Sequence, residues 1–304
     1  MKYSKPPLSP EQHVALWQSR GLSVPDPAEA THHLKTIGYY RLSGYSLPLQ
    51  IRNDLTKPPH TFKPGTTFKD ILRLYLFDRE LRLLVMDAVE RIEVAFRASL
   101  SNHMSVKYGA FWYMDKALFH EDFDFYGFMG EVQEDAGATA SRGSSRGTDV
   151  FLRHYFATYS DPPLPPSWMV VEVVPFSRWS SIFKWLKQRS DKKALGDLYG
   201  LQWETLASWI HAVSYIRNLC AHHSRLWNKD FTITPSFADH PSFGVTNNTR
   251  FYAQSVVLNY FMKRISPNSR WGQRLLRFIE AHPYIDPMAM GFSKWVQNII
   301  EYEI

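Results

Sequence analysis

With 304 residues, 44% apolar and 15% aromatic, the chain can bury a substantial core in one large domain or two intimate ones, which excludes a disordered polymer. Its formal charge of +6 and pI near 9.2 favour an anionic partner. A single cysteine, Cys220, excludes an intramolecular disulfide and a cysteine-rich zinc site.

That lone cysteine points to the reducing cytoplasm. The stretch Met1-Lys2-Tyr3-Ser4-Lys5-Pro6-Pro7 has charge but no following apolar region, so it does not read as a secretion signal. No apolar run approaches the roughly 20 residues of a membrane span. A soluble protein without a membrane partner is expected.

In chain order, Ser9-Pro10-Glu11-Gln12 is an N-cap with proline at the first helical position, closed by Gly21. Asp26-Pro27-Ala28-Glu29 repeats the device before a helix ending near Gly38, and His32-His33 on it is read as a surface pair, not a ligand. From Tyr39 to about Gly65, aromatics, proline and glycine predict an irregular loop or short hairpin, broken at Pro58-Pro59, that either docks RNA or packs as a lid. From Thr67 to about Tyr108, Ile71, Leu74, Leu81, Leu84, Val85, Ala88, Ile92, Ala95 and Leu100 mark one long core helix. On it Glu93 and Arg97, acid first at i,i+4, favour a surface salt pair, although Glu90, Arg91 and Glu93 could also support a neighbouring site.

Residues 136–148 are small, polar and glycine-rich, a composition expected for a mobile loop that closes on RNA through Arg142 and Arg146. Pro162-Pro163-Leu164-Pro165-Pro166 forms a stiff break before a basic helix at about 177–189. There Arg178, Lys184, Lys187 and Arg189 are interleaved with Trp179 and Trp185, and Trp209 follows on the next helix, an arrangement that can hold phosphates and stack bases. Phe176, Trp179, Ile182, Phe183 and Leu186 repeat at helical spacing, however, so most of these rings are expected in the core with only the cations outside. Charge is uneven: residues 177–230 hold nine Lys/Arg against four Asp/Glu, whereas 115–135 hold one lysine against seven acids.

The most informative segment is Arg217-Asn218-Leu219-Cys220-Ala221-His222-His223-Ser224-Arg225-Leu226-Trp227-Asn228. From Trp203 to about Trp227 no proline or glycine interrupts, and Leu206, Trp209, Ile210, Val213, Ile216 and Cys220 define a buried face. At about 100° per residue, His211, Ser214, Asn218, His222 and Arg225 form a polar stripe opposite, with Arg217 on its flank and His223 near the apolar edge. Metal-free RNA cleavage needs proton transfer to and from oxygen, plus positive charge on the phosphate. Histidine supplies the first, and arginine the second. Asn218 could orient the imidazole or bond the phosphate. One helix rarely carries both acid and base, so a second copy across a dimer interface would complete the site. After Asn228 the chain turns through Pro235 and Pro241 into helices expected near 243–265, 270–281 and 292–302. No internal repeat, phosphate-binding glycine loop or metal-ligand spacing stands out.

The Arg217-Asn218-x-x-Ala221-His222 string resembles the R-x4-6-H signature of the HEPN ribonuclease superfamily. Its extension through Arg225-Leu226-Trp227-Asn228 is similar to the version in Abi-type (AbiD/AbiF-like) abortive-infection proteins. Ile37 to Tyr45, Asp78-Arg79-Glu80-Leu81-Arg82 through Ala88 to Glu93, and Pro166-Ser167-Trp168-Met169 with Val171-Glu172-Val173 resemble the same family. The resemblance implies a mainly α, HEPN-like helical bundle with additional N- and C-terminal helices and a short irregular Tyr/Pro-rich segment. The expected organisation is an N-terminal segment over 1–66 packing on a helical domain over 67–304. It further implies a metal-independent endoribonuclease of anti-phage or toxin type, without cofactor, acting as a homodimer and leaving a 2′,3′-cyclic phosphate. Arg217 and His222 match the catalytic pair, Asn218 the polar residue after the arginine, and His223 and Arg225 are accessory. RNA is the expected partner, as substrate or as a structured regulatory RNA, with an antitoxin as a further one. The competing readings are a non-cleaving RNA-binding defence module and a helical interaction protein whose polar stripe builds a dimer interface.

Overall fold

Capping chemistry starts the chain's first helices where the sequence predicts. In the computed structural model, which describes residues 2, 6–51, 60–138, 149–238 and 243–292, α1 (Pro10–Ser19) opens on a reciprocal capping box. The Gln12 amide donates to Ser9 Oγ at 3.2 Å, and the Ser9 amide to Gln12 Oε1 at 2.7 Å. Helix α2 (Pro27–Ile37) is capped by Asp26, which accepts from the Glu29 amide. It ends on Gly38 at φ 92°, a conformation glycine adopts at little cost.

The next segment departs from expectation. Residues 39–46 are helical, forming α3 (Tyr39–Ser46), because Leu42, Tyr45 and Ser46 recur at helical spacing and are buried. The buried Tyr45 hydroxyl donates to Asp78 Oδ2 at 2.6 Å. A hairpin-like pairing follows, with Ile51 donating to the Thr61 carbonyl and Lys63 to the Leu49 carbonyl. Pro58-Pro59 lie outside the described residues.

Helix α4 (Phe68–Tyr108) has 41 residues, about 60 Å of helix. Of the residues the periodicity marks, Ile71, Leu81, Val85, Ala88, Ile92 and Leu100 are sealed from solvent and Leu74 is buried, whereas Leu84 and Ala95 are half-buried; Phe96, outside that pattern, is sealed as well. The chain divides into two compact units, Met1–Leu81 and Arg82–Ile304, so the division falls inside this helix.

In the second unit follow α5 (Phe125–Asp135), α6 (Val150–Thr158), α7 (Ser167–Val173), α8 (Phe176–Trp185), α9 (Arg189–Tyr199), α10 (Trp203–Ala221), α11 (Phe251–Ile265) and α12 (Trp271–Glu280). The fold is mainly helical: twelve α-helices and, among the described residues, only isolated bridges in place of strands. The basic stretch expected as one helix over 177–189 is divided between α8 and α9, with Leu186 leaving helical geometry at ψ 131°. Helix α11 begins at Phe251 and not near 243, because Thr249, bonded to Asn247 and Asp230, holds the preceding chain in a turn. The helix expected at 292–302 lies almost wholly outside the described residues, as do Pro241 and most of the 136–148 loop with Arg142 and Arg146.

Helix α10 packs on α8, α9 and α11, and its Leu206, Trp209, Ile210, Val213, Ile216 and Cys220 face is buried. Two polar clusters tie α4 to this core. Ser167, at the start of α7 and fully buried, bonds Ser101 at 3.0 Å and Ser105 at 2.7 Å. Asp191 on α9 accepts from His103, Lys107 and Tyr108 at 3.0, 2.5 and 2.6 Å. No helix among the described residues is long and apolar enough to cross a membrane.

Candidate functional site

The helix that carries the arginine stops at the histidine. Expected to run to about Trp227, α10 ends at Ala221, with His222 as its C-cap. His223 takes up the left-handed conformation at φ 55°. Its amide bonds the Cys220 carbonyl at 3.0 Å and that of Ser224 the Leu219 carbonyl at 2.8 Å, which is the Schellman pattern of helix termination. The usual glycine is replaced by histidine, which explains why no breaker residue is visible in the sequence.

This ending revises the expected polar stripe. Ser214 is buried at 3% exposure, Asn218 is half-buried, and Arg225 lies beyond the helix altogether. His211 and His222 are exposed, and so is His223, which leaves the helix instead of sitting at its apolar edge. The string after the helix is an anchor: Leu226 and Trp227 are buried, Arg82 of α4 donates to the Ser224 carbonyl at 3.3 Å, and Arg250 donates to Asn228 Oδ1 at 3.4 Å.

Arg217, half-buried on the last full turns of α10, is met from α4. Its Nε lies 3.5 Å from Glu93 Oε2, and its Nη1 donates to Asn218 Oδ1 at 3.3 Å. Glu93 Oε1 is 2.7 Å from Arg97, and Arg97 Nη2 donates to the Val174 carbonyl at the end of α7. Burial lowers the Arg97 guanidinium from its ordinary value, opposed by the charges of Glu93 and Glu172 and reinforced by that of Arg217. The Glu93–Arg97 pair is thus no surface pair; its side chains are 12% and 14% exposed. Sequence spacing identified the i,i+4 partner and offered Glu90, Arg91 and Glu93 as possible supports of a neighbouring site; of these three Glu93 reaches Arg217.

In an ideal helix the five-residue step from Arg217 to His222 advances about 7.5 Å and turns about 140°. The two side chains therefore leave the helix on different sides. A phosphodiester could be touched by both only where it crosses the end of α10, or where a second copy supplies the complementary group.

Elsewhere in the basic segment, charge is partly neutralised. Arg178 pairs with Glu131 of the acidic stretch, Lys193 with Asp197 at 2.6 Å, and Arg189 lies 3.7 Å from Glu204. Trp179 and Trp209 are fully buried, so they belong to the core as the spacing indicates, whereas Lys184, Lys187 and Arg189 are exposed.

A family model described as Abi-like protein matches residues 32–228 of the chain. The chain belongs to the Abi-like protein family. No curated protein and no solved structure matches it. The match covers α3, α4 and all of α10 and closes on Asn228, the residue bonded by Arg250. In this Abi-like chain the strings singled out in the sequence turn out to be joint-forming residues: Tyr45 with Asp78, Arg82 with Ser224, Glu93 with Arg217, and Ser167 with Ser101 and Ser105.

Proposed function

We propose that this Abi-like protein is a metal-independent endoribonuclease of the HEPN type, of the AbiD/AbiF-like kind, serving abortive infection or toxin action against phage. Arg217 binds the scissile phosphate through its planar fork and stabilises charge growing on it. His222 moves the proton, either from the 2′-hydroxyl to start attack on phosphorus or onto the departing 5′-oxygen. The product is a 2′,3′-cyclic phosphate and a 5′-hydroxyl. One copy offers one Arg217–His222 pair at the end of a helix, so a homodimer brings a second pair facing it.

The observation that carries this reading is the pairing of a half-buried Arg217, braced by Glu93, with an exposed His222 on the C-cap of the same helix. The test is incubation of the purified protein with mixed RNA in EDTA. Cleavage with cyclic-phosphate ends, abolished by Arg217→Ala and by His222→Ala, supports it; intact RNA under all conditions overturns it. Mixing the two inactive variants separates arrangements, since partial recovery requires a site shared between subunits.

The engagement of Arg217 by Glu93 favours a second reading, because an arginine already facing a carboxylate is a weaker phosphate ligand. On this reading the protein is a defence module that holds a structured or regulatory RNA without cutting it. RNA that co-purifies and binds with a steep salt dependence but stays intact selects it.

A further inference from the structure

Toward the start of α10, on the face that His222 shares, a cleft of about 620 Å³ opens between α8, the start of α9 and α10. His211, which lines it, precedes Arg217 by six residues, about 9 Å along the axis and about 120° around it, and precedes His222 by eleven, about 16 Å along the axis on the same side of the helix. It is a separate place from the Arg217–His222 site.

Three features give the cleft a ligand preference. Its wall includes the half-exposed rings of Trp185 and Trp203 beside Leu186 and Ala207, flat apolar surface of the sort that planar rings cover. It is lined by Lys184, Lys187 and Lys192 against one acid, Glu204, which already faces Arg189 at 3.7 Å outside the cleft. Lys192 is buried with its ammonium 3.9 Å from the centre of the Trp203 ring, so positive charge is built into the floor. Ser180, 3% exposed, also lines it, and its buried Oγ has no hydrogen-bond partner among the described residues. A buried hydroxyl in native structures ordinarily finds one. Partial desolvation of its ring against the cleft wall, with a smaller contribution from Lys184, lowers the His211 imidazole from its ordinary value.

We propose that this cleft binds a mononucleotide unit, its base against Trp185 and Trp203 and its phosphate among the lysines and Ser180. The volume lies within the range of small-molecule sites. The inference is independent of whether Arg217 and His222 cut RNA. Two sources present the same chemistry, a free nucleotide and one nucleotide of an RNA strand, and binding measurements distinguish them.

The full-length protein is titrated calorimetrically with 5′-AMP and 5′-UMP, and with adenosine and inorganic phosphate as separate halves. At least one nucleotide is expected to bind saturably, with each half at least about tenfold weaker. Lys184 and Lys187 are exposed, so the K184A/K187A double variant should fold normally by circular dichroism and weaken nucleotide binding about tenfold or more. Ser180→Ala is a second, milder disruption. Arg217→Ala and His222→Ala should leave nucleotide binding unchanged, which keeps the result separate from that of the ribonuclease assay. A single-stranded hexanucleotide that displaces the nucleotide assigns the cleft to an RNA strand; one that does not assigns it to a free nucleotide. Absence of saturable binding, binding indifferent to the two lysines, or binding lost with Arg217→Ala overturns the proposal.

Discussion

Glu93 divides its carboxylate between two arginines, Oε1 lying 2.7 Å from Arg97 on the same helix and Oε2 3.5 Å from Arg217 on α10. Arg217 is therefore held in place, with its charge partly balanced. On the proposed ribonuclease reading, Glu93 acts on the reaction through the arginine it positions.

Glu93→Gln keeps the shape of the side chain and removes that balance. Cleavage should fall by about tenfold in kcat, with KM for RNA unchanged or lower because Arg217 is released toward phosphate. Unfolding in urea should show a loss of about 1–3 kcal/mol, since two partly buried guanidinium groups lose a charged acceptor. A structural role alone would lower stability without dividing kcat from KM in this way.

Asp191 predicts a pH signature. Burial taken alone would raise its carboxyl, but hydrogen bonds from Lys107, Tyr108 and His103 outweigh it and leave the group below its ordinary value. A carboxyl depressed in the folded state contributes stability that is fully present above its unfolded value near 4 and is lost as pH falls through the folded value. Asp191→Asn should therefore cost about 2–3 kcal/mol near neutral pH, and the gap to the native protein should close as pH drops below about 4. Urea midpoints measured from pH 7 down to the acid limit of folding check this; a gap constant with pH would contradict it.

Leu226, fully buried just past the end of α10, anchors the motif segment. Leu226→Ala should destabilise by about 2–5 kcal/mol and should also disturb the helix ending that presents His222. Chemical denaturation gives the first effect. Faster amide hydrogen exchange at His223 and Ser224, whose bonds close the helix, gives the second.

Gly196 on α9 has no room for a side chain: an added Cβ would stand 2.5 Å from the Leu201 carbonyl oxygen and 3.3 Å from the Trp203 amide nitrogen. The obstacle is backbone in the turn that launches α10, so it cannot rotate away. Gly196→Ala should lower stability by about 1–3 kcal/mol despite alanine's better helix propensity, read as a fall in melting temperature.

Local chemistry was the legible part of this chain. Ser9 and Asp26 announce α1 and α2, and the apolar periodicity of α4 announces its full extent. Among the local readings that failed, two have clear physical reasons. Tyr39–Ser46 carries turn-prone and β-prone residues, yet burial of Leu42 and Tyr45 and the bond to Asp78 outweigh that preference. The end of α10 was hidden because His223 fills a left-handed position that glycine usually marks, while Leu226 and Trp227 prolong the apolar spacing. In the candidate site, Arg217 and His222 were visible as a motif. The link from Glu93 to Arg217 joins helices far apart in the chain, and no spacing rule encodes it.

The left-handed corner at His223 puts the two motif groups under different mechanical control. The guanidinium rides on a helix locked to its neighbours, whereas the imidazole sits on the last link before a bend, with the Ser224 carbonyl fastened to Arg82. The two groups of the motif are thus fixed by separate contacts, Arg217 by Glu93 and the backbone just beyond His222 by Arg82.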